Sequence, residues 1–591
     1  MFTKILSLIE PAQRNKFILL CFLFIVLGLL EIIGISSVIP FLNIISYSKI
    51  EQTDSLTQYI YTLVNPSSYQ NFLVLSGLIV LVMILITNGM RILVLYLSSY
   101  FVWSNQADMA VMLLNKILDR PYEVFSNENS SDNTKDVLTE TENFVTGLLQ
   151  PLLFLISNSV IALSISLVVF LYNAEIGFLV LFIVTFIFGT FLLTVHRPLI
   201  NRGKERLSAT TTRFKVVDEA LSGIKLIKLL RKEEYFASQL KKPSQEFASA
   251  RSFQAFTRSL PRSIFEVVAF GAVVSMALYG IYAGYDIDGL IPLIGLFAFA
   301  GYRLLPSFSI MYQSISSLTF HSIVLDRLYE QRNTSPSAYK QGQIDTVKGN
   351  YSYSFKEVSY SYLSSDEFAL KDININLKSP STIGIIGTTG SGKSTFIDLL
   401  LGLSKPTEGI IELNDIDLQD YSPEFLADKI GYVPQEIYLT DDTIERNIAL
   451  GTDKDNIDQD RVIKAAKLAE LHDLIQKDLE QAYQTVVGQR GAKLSGGQVQ
   501  RIGIARAIYN NPEVLILDEG TSNLDQTTES KIIRNLDQDS DIKLRIMVAH
   551  RLKAIKDCDR LYLFNDGKLE DSGSYDDLSS RNEIFKSMLK S

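Results

Sequence analysis

Cysteine, tryptophan and histidine are nearly missing from this sequence: 591 residues hold two, one and four of them. Cys21, in an apolar run, and Cys558, in the polar half, build neither a disulfide framework nor a cysteine-based metal site. Basic residues are outnumbered too, 56 against 65 acidic ones, for a formal net charge of −9. That balance argues against nucleic acid as a partner, because such proteins present a basic face. Internal repeats and low-complexity tracts are absent. The most informative shortage is local: as far as about residue 315 long runs carry almost no charge, whereas the rest reads as a soluble α/β sequence. No cleavable leader is expected, since the apolar run after Lys4, Arg14 and Lys16 reaches about residue 46 without a small-residue cleavage site.

A bilayer core takes roughly 20 apolar residues in a helix. Six stretches qualify: Phe17–Ile45, Phe72–Phe101, Val145–Tyr172, Ile176–Val195, Ser263–Tyr285 and Leu290–Tyr312. The tight Asn173-Ala174-Glu175 link makes the third and fourth a hairpin. Basic residues orient the set. They crowd the fourth-to-fifth connection from Arg197 to Lys232, and Lys116, Arg120 and Lys135 lie in the second-to-third. The opposite connections hold Lys49 alone. Positive charge marks the cytoplasmic side, so both termini and the soluble part are expected inside, with the spans in the inner (plasma) membrane.

The two basic connections carry short helical patterns at Leu118–Phe125 and Val217–Lys225, expected at the tips of spans that extend below the membrane. For Asp54–Val64, a short interfacial helix and a solvated loop are both open. Pro40, Pro261 and Pro306 mark expected kinks or helix ends. The organisation read from this pattern is an α-helical membrane domain of six transmembrane helices over 1–330, a linker over 331–350, and an α/β domain over 351–591.

Charges inside apolar runs are costly, so Glu31, Arg91, Glu266 and Arg303, with Arg258 and Arg262 near the inner end of the fifth span, call for a reason. Ion pairing for packing is one. An arginine-lined cavity for an anionic, phosphate-bearing substrate is the other, since guanidinium matches phosphate with two parallel hydrogen bonds. The two can coexist.

In the soluble part Gly387-Thr388-Thr389-Gly390-Ser391-Gly392-Lys393-Ser394-Thr395 follows the apolar run Ile383–Ile386 and precedes Phe396–Leu401. Strand, glycine-rich loop and helix in that order form a phosphate-binding P-loop. Its backbone N–H groups curl round the phosphates, Lys393 adds a point charge, and the Ser394 hydroxyl suits Mg²⁺. An alternating segment, Tyr353–Tyr362, predicts an antiparallel strand ending in an aromatic that can stack on adenine. Tyr432-Val433-Pro434-Gln435 presents a glutamine at a strand end, and Leu494-Ser495-Gly496-Gly497-Gln498 opens a helix. Val514–Glu519 is a buried strand ending in two carboxylates, and Ile546–His550 closes the series.

This set resembles the nucleotide-binding domain of ATP-binding-cassette (ABC) transporters over essentially all of Tyr351–Ser591, and the Leu-Ser-Gly-Gly-Gln run separates that family from other P-loop ATPases. The resemblance implies roles. Asp518 holds Mg²⁺ with Ser394 and Gln435, Glu519 polarises the attacking water, and His550 contacts the γ-phosphate. Ser495, Gly496, Gly497 and Gln498 present a second helix N-terminus to ATP, supplied by a partner subunit. One P-loop and one Leu-Ser-Gly-Gly-Gln per chain then call for two chains, and a homodimer is expected. The exporter pattern Gly-Glu-Arg-Gly reads Gly488-Gln489-Arg490-Gly491 here, so a glutamate that commonly helps couple the two domains is Gln489.

The membrane half resembles lipid-linked oligosaccharide flippases of the PglK type and their polysaccharide-export relatives, through Leu30–Phe41, Phe299–Ser307 and the external segment Asp54–Val64. That likeness implies a polyprenyl-pyrophosphate-linked glycan whose pyrophosphate is attracted by Arg91, Arg262 and Arg303, while its lipid tail stays among the membrane lipids. Export of lipid A, a drug or a peptide, with structural arginines, is the alternative. An ATP-gated channel is a further one, against which the complete Glu519 and His550 pair argues.

Overall fold

The computed structural model describes residues 1–46, 55–126, 128–172, 174–282, 287–333, 342–347, 350–362, 365, 367–549 and 555–590. The chain packs as two compact units, Met1–Asp119 with Glu128–Ser335, and Arg120–Asn127 with Pro336–Ser591.

The first unit is helical. Its main elements are α1 (Pro11–Ser46), α2 (Ser55–Val64) and α3 (Tyr69–Leu118), then, beyond the short α4 (Tyr122–Ser126) that belongs to the second unit, α5 (Gln150–Tyr172), α6 (Ala174–Thr194), α7 (His196–Ser222), α8 (Glu233–Tyr282), α9 (Ile287–Phe320) and α10 (Ser322–Asn333). Each expected span falls largely on one of α1, α3, α5, α6, α8 and α9, with residues 283–285 of the fifth outside the described residues. Among the described residues Pro11–Leu42, Tyr69–Leu118 and Ser130–Leu171 are long and apolar enough to cross a membrane. Fifty-residue α3 and α8 run about 75 Å at 1.5 Å per residue, more than twice a hydrocarbon core, so they extend beyond it. The segment left open between helix and loop is helical, as α2.

The prolines end nothing: Pro40 lies inside α1, Pro261 and Pro243 inside α8, and Pro306 within α9. In a long packed helix, neighbouring contacts outweigh the one hydrogen bond that a proline removes. On α1 the exposed Ile18, Phe22, Ile25, Leu29 and Ile33 recur at helical spacing, a stripe suited to lipid tails, while Leu20, Phe24 and Leu27 are buried. Away from the apolar stretches the helices are pinned by charge instead. Arg206 on α7 donates to Glu140 at 3.1 Å with both side chains fully buried, and Arg327 on α10 donates twice to the buried Asp136 at 2.9 and 2.7 Å.

The second unit holds two sheets. An antiparallel one has the order β2–β1–β4–β5, from β1 (Ser352–Ser361), β2 (Phe368–Lys378), β4 (Glu408–Leu413) and β5 (Ile416–Asp417). The other has the order β10–β9–β3–β8–β7–β6, from β3 (Ser381–Gly387), β6 (Ile430–Val433), β7 (Val514–Asp518), β8 (Leu544–Val548), β9 (Arg560–Asn565) and β10 (Lys568–Gly573). All of its pairings are parallel except β9 with β10. Strands β7 and β8 are buried at every residue, which explains their unbroken apolar runs. Register sets the chemistry: Ile385 pairs with Val548, and Val548 with Asp518. The carboxyl ends of β3, β8 and β7 therefore open on one edge, where ligands of such sheets bind.

Candidate functional site

Strand β3 ends at Gly387, and α11 (Lys393–Leu400) starts at Lys393, so the P-loop spans the turn between them. Gly392 makes the turn at φ +98°, where a Cβ would stand 2.6 Å from the Leu370 side chain. Only glycine meets both demands. At Gly390 (φ +80°) a Cβ would meet nothing within 4 Å, and Thr388 and Thr389 are exposed: this is the open side of the loop. The Lys393 ammonium is buried and donates to the carbonyls of Gly387 (3.0 Å) and Thr388 (2.8 Å). Burial pulls its pKa down, while Glu519 and Asp518 hold it up. A phosphate on the open side would meet a cation already fixed. Ser391 Oγ is buried and has no hydrogen-bond partner among the described residues, an interior group of the cradle left to a ligand or water. Ser394, the next residue of α11, is exposed, and Thr395 Oγ1 lies 2.8 Å from the Tyr362 hydroxyl.

The two carboxylates stand at the end of β7. Asp518 is buried, 3.5 Å from the Tyr432 hydroxyl, and burial together with its charge pushes neighbouring Asp398 up to about 6. Glu519 adopts φ +52°, a left-handed conformation costing roughly 1–2 kcal/mol for a residue with a Cβ. Its backbone is held there on both sides. The N–H donates to Val548 O at 3.0 Å, and the carbonyl accepts from Gln500 Nε2 at 3.1 Å. The strained turn aims the carboxylate at Gln435, whose Nε2 donates to Oε2 at 3.1 Å. The structure thus brings Lys393, Asp518, Glu519 and Gln435 to one edge. His550 lies outside the described residues.

Ser495 caps α12 (Gly496–Ile508) in a reciprocal box: Gln498 N donates to Ser495 Oγ at 3.3 Å, and Ser495 N donates to Gln498 Oε1 at 2.8 Å. The Gln498 side chain thereby serves the cap, while Ser495 and Gly496 are exposed with their helix end facing outward. Among the described residues no hydrogen bond or ion pair joins Ser495–Gln498 to the P-loop. A donor set displayed away from its own nucleotide loop suits an ATP held by another chain.

The arginines singled out in the membrane helices divide. Glu31 on α1, with 2% of its side chain exposed, takes Arg91 of α3 at 2.5 Å and Arg303 of α9 at 3.3 Å on the same carboxylate oxygen. Arg303 is almost fully buried, and Arg91 is 40% exposed. Among the described residues both keep a buried Nε without a partner. Arg262 is separate: it is largely exposed and pairs at 2.9 Å with Glu266 one turn along α8.

The family model for the ABC transporter transmembrane region matches residues 17–299, and that for the ABC transporter matches 370–522. An uncharacterized ABC transporter ATP-binding protein of Bacillus subtilis, YfiB, is 32% identical over 81% of this chain and 82% of its own length. The chain is an ABC transporter. Putative multidrug export ATP-binding/permease proteins of Staphylococcus aureus are 31% identical over 78% of the transporter and 77% of their own length. Its fold is that of a bacterial Atm1-family ABC exporter solved with ATP bound, at a TM-score of 0.82 and 22% identity over 98% of this chain and 99% of that one. It is an exporter-type half-transporter, a multi-pass membrane protein with one ATPase domain, and ATP hydrolysis drives its transport.

Three contributors to the transporter's site were given no role by the motif reading, although Tyr432 lies in a quoted run. Gln500 ties α12 to the Glu519 carbonyl and accepts from Asn523 N at 2.7 Å, two positions after the recognised run. Tyr432 and Asp398 shape the surroundings of Asp518 from other elements. Among the described residues no group of three or more His, Cys, Asp or Glu side chains forms an all-protein metal cage. A hydroxyl (Ser394), an amide (Gln435) and one carboxylate (Asp518) fit Mg²⁺, which keeps waters and takes phosphate oxygens as its other ligands.

Proposed function

We propose that two copies of this chain form an exporter that moves a polyprenyl-pyrophosphate-linked oligosaccharide, or a related glycolipid, across the inner membrane, with termini and ATPase domains on the cytoplasmic side. The observation that carries the substrate class is the Glu31 site. One carboxylate shared by two guanidiniums leaves a positive charge in a low-dielectric setting, and half-exposed Arg91 can turn its free donors to an anion. The likeness of Leu30–Phe41 and Phe299–Ser307 to lipid-linked oligosaccharide flippases points the same way.

In each ATP site Lys393 and the P-loop amides would hold the phosphates of one chain's nucleotide. Ser495–Gly497 of the second copy would close over it. Ser394, Gln435 and Asp518 would hold Mg²⁺, which would supply charge neutralisation of the phosphates when bound. Glu519 takes the proton of the attacking water, with Gln435 fixing the carboxylate that does so. Tyr362 offers its ring to the adenine.

The test is ATPase stimulation in nanodiscs by a polyprenyl pyrophosphate against the uncharged polyprenol of the same length. The pyrophosphate should stimulate and the alcohol should not, and Arg91→Ala should raise its half-maximal concentration about tenfold, the worth of one charge-assisted hydrogen bond. Arg262→Ala, already paired on its own helix, should change it less. Equal stimulation by both lipids, unmoved by Arg91→Ala, supports instead the second reading, export of a drug-like amphiphile, which the names of the Staphylococcus aureus relatives favour.

A further inference from the structure

The segment Arg120–Asn127 lies in sequence between two membrane helices yet packs as part of the ATPase unit. Its helix α4 brings one carboxylate to a particular place. Glu123 Oε1 accepts from the backbone N–H of Lys405 at 3.0 Å, and the same side chain is a hydrogen-bond partner of the Tyr360 hydroxyl, which also meets Ser404. Tyr360 is 3% exposed, and burial pushes its phenol up to about 12, so it remains a hydroxyl donor throughout the physiological range. Tyr360 and Tyr362 share a face at the end of β1 with their rings edge to face, centroids 5.2 Å apart at 83°. Tyr362 then reaches Thr395 of the P-loop helix at 2.8 Å.

The loop on which Glu123 acts also holds the strand that carries both rings. Thr407 N donates to Ser359 O at 2.9 Å, and Ser361 N donates to Thr407 Oγ1 at 3.0 Å. One carboxylate on α4 therefore fixes the loop Ser404–Thr407 and the Tyr360 ring together, and these two set where the Tyr362 ring stands. Gln489, which replaces the usual coupling glutamate, is exposed.

We propose that Glu123 is a positioning residue for the base of ATP: through Tyr360 and the Ser404–Thr407 loop it holds Tyr362 in the place where adenine stacks, so that the segment between α3 and the following membrane helices governs nucleotide affinity. The link is hydrogen bonding and ring packing only. It rests on Tyr362 being the adenine platform.

The test is ATP hydrolysis by the full-length protein in nanodiscs, measured over a range of ATP concentrations. Glu123→Ala should raise the KM for ATP about five- to tenfold, part of the worth of a base-stacking contact, and leave kcat within about twofold. Glu123→Gln, which still accepts from Lys405 N–H and the Tyr360 hydroxyl, should restore most of the affinity. Tyr360→Phe keeps the ring and loses the hydroxyl, and should shift KM in the same direction by less. In a Tyr362→Ala background the Glu123→Ala effect should disappear, because both act through one ring. A Glu123→Ala variant with lower kcat and unchanged KM, or effects that add across the cycle, overturns the proposal and leaves Glu123 a mechanical contact. An unchanged KM in Tyr362→Ala alone overturns the adenine platform, and the proposal with it.

Discussion

Glu519→Gln should lower ATP turnover by about 10²- to 10³-fold, the usual worth of a general base, without weakening ATP binding. The geometry explains why the two separate. Glutamine has the shape of glutamate and the same backbone demands, so the φ +52° turn remains held by Val548 and Gln500. Its amide oxygen can accept from Gln435 as the carboxylate oxygen does now at 3.1 Å. What disappears is the proton acceptor beside the water. With closure over two nucleotides intact and hydrolysis blocked, the variant should accumulate as an ATP-bound dimer, seen as retained ATP after gel filtration. Turnover within tenfold of the native rate would place the base elsewhere.

The second large effect concerns stability. Glu31→Ala should destabilise the membrane unit by about 3–5 kcal/mol, because it strands the buried Arg303 without a counter-charge among the described residues. Arg303→Ala should cost less, since Glu31 keeps Arg91 at 2.5 Å. Arg91→Ala should cost least, since the lost side chain is 40% exposed and Glu31 keeps Arg303. Thermal aggregation midpoints in detergent, compared across the three variants, give the order directly. The double change Glu31→Leu with Arg303→Leu removes both buried charges and should recover part of the loss. An Arg91 variant with normal stability and poor response to the pyrophosphate lipid then separates substrate binding from packing. Equal midpoints for all three would mean that the charges are solvated by water.

The candidate ATP site could be assembled from the sequence because its residues lie in contiguous runs. Gly387–Thr395, Asp518-Glu519 and Ser495–Gln498 each carry their own loop, strand end or helix cap, and β3, β7 and β8 bring the first two together through parallel register. The six long helices were legible from apolar length alone. What the chain hid is what depends on distant pairing. Glu31 stands 60 residues from Arg91 and 272 from Arg303, so the sequence offered ion pairing and an anion cavity without showing which arginines converge. Likewise Glu123 acts on Lys405, 282 residues away. Of the two outcomes open for Pro40, Pro261 and Pro306, a kink or a helix end, the end is excluded, because the helices continue through all three.

Translocation itself is the most direct measurement: proteoliposomes holding the native chain, with a fluorescent glycan on polyprenyl pyrophosphate in one leaflet and its exposure in the other followed by a membrane-impermeant quencher. Movement should require ATP, stop in Glu519→Gln and slow in Arg91→Ala. ATP hydrolysis with no movement of that lipid, or movement of the neutral polyprenol-linked glycan at the same rate, would contradict the proposed function.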